Sequence, residues 1–136
     1  MITHFTGNGF KYNQALINEI LIKIFTDFNI SLVSLNIIQL TDDELKDVNI
    51  QFLQHDYYTD IITFNYGSDL YIEGELYISF ERALENEKIF HKQNEIIRLI
   101  IHGALHLCGL DDNTDKLKEQ IHLKEDYYLD MFHVKH

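Results

Sequence analysis

The chain of 136 residues has no proline, a single cysteine and half as many basic as acidic residues. Because Cys108 has no second cysteine to pair with, an internal disulfide is excluded, which suits the reducing cytosol. No apolar run reaches the length of a membrane span, and no basic segment leads into an apolar stretch at the N-terminus. We therefore expect a cytoplasmic protein that does not enter a membrane. The absence of proline says little about function.

Basic residues are scarce: 11 Lys and Arg stand against 22 Asp and Glu, a formal net charge of −11. Loose, charge-driven binding to nucleic acid needs a positive surface, and this balance argues against it. RNA bound through a local patch or through a metal ion is still compatible with the charge. The basic residues available for phosphate contacts are Arg82, Lys88, Lys92 and Arg98. A simpler explanation of these four residues is that they belong to the solvent-exposed faces of helices.

Length and composition predict one domain over residues 1–136, large enough to hold a core without disulfides. Hydrophobic periodicity and capping signals predict an α/β or α+β fold, a small mixed sheet of about four strands packed with about five helices. The predicted strands cover 2–6, 30–40, 59–66 and 70–80. The predicted helices cover 11–28, 41–53, a stretch from 81 with a break near 91–94, 94–109 and about 115–131.

The segment 99–115, LIIHGALHLCGLDDNTD, places two histidines four residues apart in an apolar helix. Each helical residue turns by about 100°, so His102 and His106 share a face and both imidazoles can reach one ion. Gly109 is a natural helix stop that lets the chain turn back, so that Asp111 or Asp112 can supply a carboxylate. Two imidazoles and one carboxylate leave a fourth position for water, as in catalytic zinc sites. We expect such a site at the end of this central helix.

Taken alone, an H-x3-H pair is a weak signal, because histidines without a metal produce it as well. Burying both rings among leucine and isoleucine is costly unless their nitrogens have partners, which favours a metal. Gly103 stands where helical zinc peptidases carry a catalytic glutamate, and this weakens a peptidase interpretation. Asp111 could instead orient a ligand, or be an exposed turn residue. We expect Cys108 to be a small buried apolar residue.

Three segments resemble motifs of the YbeY family, the metal-dependent endoribonucleases that mature ribosomal RNA in bacteria. HGALHLCGLDD at 102–112 resembles the family signature H-G-x-L-H-L-x-G-Y-D-H. VNIQFLQHDYYTDIITF at 48–64 resembles L-N-x-x-Y-R-x-x-D-x-P-T-D-V-L-S-F, and GELYIS at 74–79 resembles G-D-I-x-I. The resemblance covers about residues 40–115, and three motifs in the family's order are more specific than any one of them.

The resemblance implies a metal site of His102, His106 and Asp112, with one zinc ion or another divalent ion per chain. Asp112 stands at the position of the family's third histidine, and a carboxylate is an acceptable ligand for such ions. Whether Asp111 or Asp112 completes the site stays open at this level.

The resemblance also bears on the residues around the metal. It implies catalytic roles for Thr59 and Asp60, which begin a strand beside the site, and we add Asp111 to this group. The family's catalytic arginine falls on Leu53, which removes a cation expected to hold phosphate.

The function implied is a cytoplasmic endoribonuclease that matures the 3′ end of 16S ribosomal RNA and takes part in ribosome quality control. Its expected partners are ribosomal RNA and the small ribosomal subunit, with no DNA and no membrane. One alternative is a zinc hydrolase of another class, a peptidase or amidase with the same ligands. The other is a non-catalytic, ribosome-associated factor with a structural metal, which Leu53 and the net charge slightly favour.

Overall fold

The computed structural model describes residues 3–7 and 10–136, and within these ranges the chain forms four strands and five helices. The strands are β1 (Thr3–Thr6), β2 (Ser31–Leu40), β3 (Ile61–Asn65) and β4 (Tyr71–Ser79). The helices are α1 (Gln14–Asp27), α2 (Asp42–Leu53), α3 (Phe80–Phe90), α4 (Glu95–Leu107) and α5 (Asp115–Met131). This confirms the predicted α+β class. The first predicted strand included Ile2, which lies outside the described residues.

Local capping explains where several helices begin. At the start of α2, the Glu44 amide donates to the Thr41 hydroxyl and the Thr41 amide donates to the Glu44 carboxylate, so the capping box is complete. Helix α1 begins later than predicted because the side chain of Asn13 accepts from the amide of Leu16 over 3.0 Å and caps it there. The predicted break falls between α3 and α4, where His91 adopts a left-handed conformation.

The four strands form one mixed sheet in the order β1-β2-β4-β3. Strand β2 is parallel to both β1 and β4, whereas β3 is antiparallel to β4. Strands β1 and β3 are therefore the two edges of the sheet. The edge strand β3 is in contact with α4, the helix that carries His102 and His106.

Helix α4 is the central helix, in contact with α1, α3, α5, β3 and β4. Its apolar face is buried, including Ile101 and Leu105, which are fully inaccessible. Gly103 lets α4 approach the sheet closely, since a Cβ at this position would lie 2.7 Å from Cδ1 of Ile61. This close approach brings the histidine-bearing end of α4 next to strand β3. In the part of the chain that the structure describes, every helix is too short or too polar to serve as a membrane span.

Candidate metal centre

Three donor atoms converge at the C-terminal end of α4. The Nε2 atoms of His102 and His106 lie 2.9 Å apart, and each lies 3.4 Å from Oδ2 of Asp112. In a tetrahedral zinc site the ligand atoms lie about 2.0–2.2 Å from the metal, which places them about 3.3 Å from one another. The spacing and the donor types therefore fit a single divalent ion of the zinc class.

The turn after α4 brings Asp112 to the histidines. The amide of Gly109 donates to the carbonyl of His106 over 2.9 Å, and the amide of Leu110 donates to the carbonyl of Leu105 over 3.1 Å. This pair of bonds is the Schellman pattern, and the φ angle of +97° at Gly109 is one that residues with a side chain rarely adopt. The predicted helix stop is confirmed, and the reversal of the chain explains how a ligand can follow so soon.

His102 is held in place by a carboxylate from α5. Its Nδ1 donates to Oε2 of Glu125 over 2.6 Å, and Glu125 is buried, with 4% of its surface exposed. Burial by itself disfavours the imidazolium, but the hydrogen bond and charge of Glu125, together with the charges of Asp112 and Asp60, outweigh it and raise the pKa of His102 above its usual value. Since Nδ1 is engaged, Nε2 is the nitrogen turned toward His106 and Asp112. This is the carboxylate–histidine arrangement that orients metal ligands in many proteins.

Sequence reasoning missed Glu125. The signal that could have revealed it is its position on α5, where it shares one buried helical face with Ile121 and Leu129. A glutamate among core residues at i, i+4 and i+8 must have a partner inside the protein. The sequence shows that a partner is needed, but it does not show that the partner is a histidine on another helix.

Two of the four basic residues that the sequence offers for phosphate contacts are arginines, and both are paired with carboxylates. Arg98 donates to Glu125 over 2.9 Å and to Asp126 over 2.6 Å, and its side chain is only 11% exposed. Arg82 forms a two-point pair with Asp42, at 3.0 and 2.8 Å. These ion pairs join α4 to α5 and α2 to α3, so both arginines have structural partners within the protein.

A cavity of about 530 Å³ opens beside the three donor atoms. It is lined by Asn49, Leu53, His55, Tyr57, Thr59, Asp60, Ile61, Ile62, Thr63, His102, His106 and Asp112. The structure therefore brings the predicted residues Thr59 and Asp60 together with the three candidate metal ligands, although their catalytic roles stay predictions. Leu53, the residue at the family's arginine position, also lines this cavity, and the described lining contains neither Lys nor Arg.

Asp111 and Cys108 lie apart from the ligand atoms. Asp111 is exposed and borders a separate depression next to α5, so the geometry brings Asp112 and not Asp111 to the imidazoles. The catalytic role of Asp111 stays a prediction, and Asp111 is not among the residues that line the cavity. Cys108 packs against the core, and burial raises the pKa of its thiol to about 12, which agrees with an inert apolar role.

Comparison with known families gives the affiliation of the chain. A family model described as Endoribonuclease YbeY matches residues 8–133, almost the whole sequence. The chain belongs to the endoribonuclease YbeY family. The family resemblance of the three motifs is thereby confirmed.

Individual YbeY relatives align over most of their length. "Endoribonuclease YbeY" of Amoebophilus asiaticus is 38% identical over 120 residues, which are 86% of this chain and 82% of the relative. The protein of the same name from Cytophaga hutchinsonii is 43% identical over 105 residues, 74% of this chain and 73% of the relative. The solution structure of TM1509 from Thermotoga maritima has a TM-score of 0.65 at 27% identity and covers 96% of this chain and 88% of that one. The two proteins therefore share the same fold over nearly the whole of this chain.

Proposed function

We propose that this YbeY-family protein is a metal-dependent endoribonuclease of the cytoplasm that processes the 3′ end of 16S ribosomal RNA and contributes to ribosome quality control. The observation that carries this proposal is the convergence of His102, His106 and Asp112 at the edge of an accessible cavity. The family affiliation supports RNA as the substrate. The expected partners are ribosomal RNA and the small ribosomal subunit.

A zinc or other divalent ion held by these three side chains would supply a Lewis acid for the phosphodiester and lower the pKa of water. The carboxylate of Asp112 offsets one of the two charges of such an ion. Glu125 accepts from Nδ1 of His102, which leaves Nε2 of this ring on the side of His106 and Asp112, where these three side chains would hold the ion. Asp60 is the carboxylate in the cavity that is not among the ligands, and its charge acts on His102. We assign Asp60 as the proton acceptor for the attacking hydroxyl or water.

The packing of Gly103 argues against a zinc peptidase. A glutamate at this position would have to pass the side chains of Ile61 and Leu76, which already lie 2.7 and 3.0 Å from where a Cβ would be. The general base of the helical zinc peptidases is thus absent, and placing it here would displace both neighbouring side chains.

One observation favours a second candidate, a ribosome-associated factor with a structural metal. Among the described residues that line the cavity there is neither Lys nor Arg, and Leu53 occupies the wall where a phosphate-holding cation is expected. The accessibility of the same cavity favours the endoribonuclease over this factor, because a structural zinc site is closed by four protein ligands.

The test is cleavage of an RNA that contains the 3′ end of 16S ribosomal RNA, free and within small ribosomal subunits. We expect zinc-loaded wild type to cleave, and His106→Ala to lose roughly a hundredfold or more of the rate because a ligand is missing. His4→Ala, which removes an exposed histidine on β1 outside the cavity lining, is the matched control and should cleave like wild type. Chelation should abolish cleavage and added zinc should restore it.

If zinc-loaded wild type cleaves neither the free RNA nor the RNA within the subunit, the proposed endoribonuclease activity is wrong. Tight binding to the small subunit without cleavage would instead establish the non-catalytic factor.

A further inference from the structure

A second cavity borders the candidate metal centre. It has a volume of about 280 Å³ and is lined by residues of α3, α4 and α5. Its lining shares Asp60, His102 and Asp112 with the first cavity. A group bound in this second cavity therefore lies next to the three candidate metal ligands.

Glu95, the first residue of α4, is a buried carboxylate in the lining of the second cavity, and only 9% of its surface is exposed. Its Oε1 lies 3.7 Å from Nζ of Lys92, and its Oε2 lies 3.6 Å from Nε of Arg98. These distances balance the charge but are too long for hydrogen bonds, and Arg98 donates to Glu125 and Asp126 instead. Because buried carboxylate oxygens normally accept hydrogen bonds, Glu95 points to a ligand with N–H donors.

The turn between α3 and α4 fixes the position of Glu95. The amide of Glu95 donates to Oε1 of Glu87 over 3.1 Å, which ties the start of α4 to α3. The preceding residue, Asn94, donates from Nδ2 to the backbone carbonyl of Lys135 over 2.7 Å. The carboxylate is thus presented by a fixed backbone, which lowers the entropy cost of binding a ligand to it.

The charges around Glu95 disfavour both an anion and a cation as its ligand. A phosphate group placed against this carboxylate would meet a buried negative charge. An ammonium or guanidinium group would meet the positive charges of Lys92 and Arg98, which already flank the two oxygens. A neutral group that carries N–H donors avoids both repulsions.

The size and the walls of the second cavity suit a nucleobase. Its volume is near the lower end of ligand pockets, about 300 Å³, which is enough for one base. Ala83, Leu99 and Ile121 give it an apolar lining, against which an aromatic ring can pack.

The paired oxygens of a carboxylate distinguish among the bases of RNA. Guanine alone has two adjacent N–H donors on its Watson–Crick edge, at N1 and N2, and a carboxylate can accept both. Adenine and cytosine place an acceptor beside their donor, and uracil has one donor between two carbonyl groups. A lone pair of the carboxylate would repel these acceptors.

We propose that the second cavity is a base pocket in which Glu95 binds a guanine of the RNA substrate. N1–H and N2–H of the base donate to the two oxygens of Glu95, and the amide of Asn86, also in the lining, can donate to O6. Because the pocket shares His102 and Asp112 with the metal centre, the phosphodiester next to this guanosine is the one that is cleaved. This inference rests on the proposed function, since it specifies which nucleotide lies beside the ion.

The test is binding of short, fluorescently labelled oligoribonucleotides to the zinc-loaded full chain, measured by anisotropy. Three strands of uridines carry guanosine, inosine or adenosine at one central position. Inosine lacks the N2 amino group, and adenosine offers neither of the two donors. We expect the guanosine strand to bind about tenfold more tightly than the adenosine strand, with inosine between them. A gel after each titration shows whether the RNA is intact.

Glu95→Gln should bring the affinities for guanosine and adenosine within about twofold of each other, because its amide replaces one acceptor with a donor. Glu119→Gln is the matched control, since it makes the same change of charge at an exposed residue of α5 outside the lining. This control should keep the preference of wild type. Zinc content and circular dichroism should match wild type for both variants. The comparison of the three strands on wild type needs no variant, so it tests the pocket even if Glu95→Gln folds poorly.

The outcomes separate the base pocket from the proposed function. If wild type binds the guanosine and adenosine strands equally, or binds neither, the base pocket is wrong, and cleavage by the same protein would leave the endoribonuclease standing. Inosine bound as tightly as guanosine would show that N2 is not recognised and would overturn the pairing with Glu95. A preference kept in full by folded Glu95→Gln would overturn it as well. Wild type that prefers guanosine through Glu95 but never cleaves would keep the pocket and overturn the endoribonuclease.

Discussion

Glu125 on α5 accepts a hydrogen bond of 2.6 Å from Nδ1 of His102 on α4, although 23 residues separate them in the sequence. The second oxygen of the same carboxylate accepts from Arg98 over 2.9 Å. Arg98, Glu125 and His102 therefore form a chain of polar contacts that ends at the candidate metal centre. The position of α5 and the direction of the His102 ring depend on each other through this carboxylate.

Glu125→Gln should weaken metal binding without abolishing it. The amide keeps the shape of the side chain but loses the charge that makes His102 a better ligand, so we expect a 10- to 100-fold fall in zinc affinity, roughly the effect of losing such partners elsewhere. Competition with a chromophoric chelator measures the affinity. Asp126→Asn is the matched control, because Asp126 binds Arg98 but not His102. Equal zinc affinity in Glu125→Gln and wild type would show that Glu125 does not act on the site.

Elemental mass spectrometry should decide which aspartate is a ligand. The geometry predicts about one equivalent of metal in wild type and little in His106→Ala or Asp112→Ala, since two remaining donors bind a divalent ion weakly. Asp111→Ala should retain the metal because Asp111 is exposed and turned elsewhere. Loss of metal from Asp111→Ala together with retention by Asp112→Ala would contradict this geometry.

Gly109→Ala should destabilise the protein through the backbone alone. A Cβ at this position meets no other atom within 4 Å, but φ is +97°, where a side chain clashes with its own backbone. We expect the free energy of unfolding to fall by about 1–2 kcal/mol in urea denaturation. Gly109→Asn should lose less, because asparagine tolerates positive φ better than alanine. Equal stability of Gly109→Ala and wild type would mean that the turn readily relaxes.

The ion pair between Asp42 and Arg82 should make stability depend on pH in acid. The hydrogen bonds from Arg82 hold the pKa of Asp42 below its usual value. A carboxylate with a depressed folded-state pKa contributes stability above its unfolded pKa of about 3.9, and the contribution is lost as the pH falls through the folded value. We expect Asp42→Asn to lower the unfolding free energy by about 1 kcal/mol at neutral pH, a modest amount because the pair is partly exposed.

This gap between wild type and Asp42→Asn should close in strong acid, where Asp42 of the wild type is also neutral. Urea denaturation of the metal-free proteins at neutral and at acidic pH measures it. Asp47→Asn, which changes an exposed acid on the same helix, should show no such pH-dependent gap. A gap that persists unchanged in strong acid would mean that the effect comes from something other than the charge of Asp42.

The sequence by itself determined the helices and strands and the first two candidate ligands. Helix periodicity, the Thr41–Glu44 capping box and the stop at Gly109 depend on residues within one or two turns of each other, so they can be inferred without the fold. The pairing of His102 with His106 is equally local, because the helix alone puts them on one face. Strand boundaries were less certain: β3 begins at Ile61, two residues after the predicted start.

Only the tertiary structure decided what surrounds those two histidines. Which aspartate completes the ligand set depends on how the chain leaves the turn at Gly109, and the contact of Glu125 depends on how α5 packs on α4. The cavity beside Leu53 and Tyr57 is lined by residues of α2, β3, α4 and the turn after α4, so it depends on how these elements pack together. Each of these relations joins residues on different elements, where the packing of the whole core sets distance and direction, and no local pattern in the sequence encodes that packing.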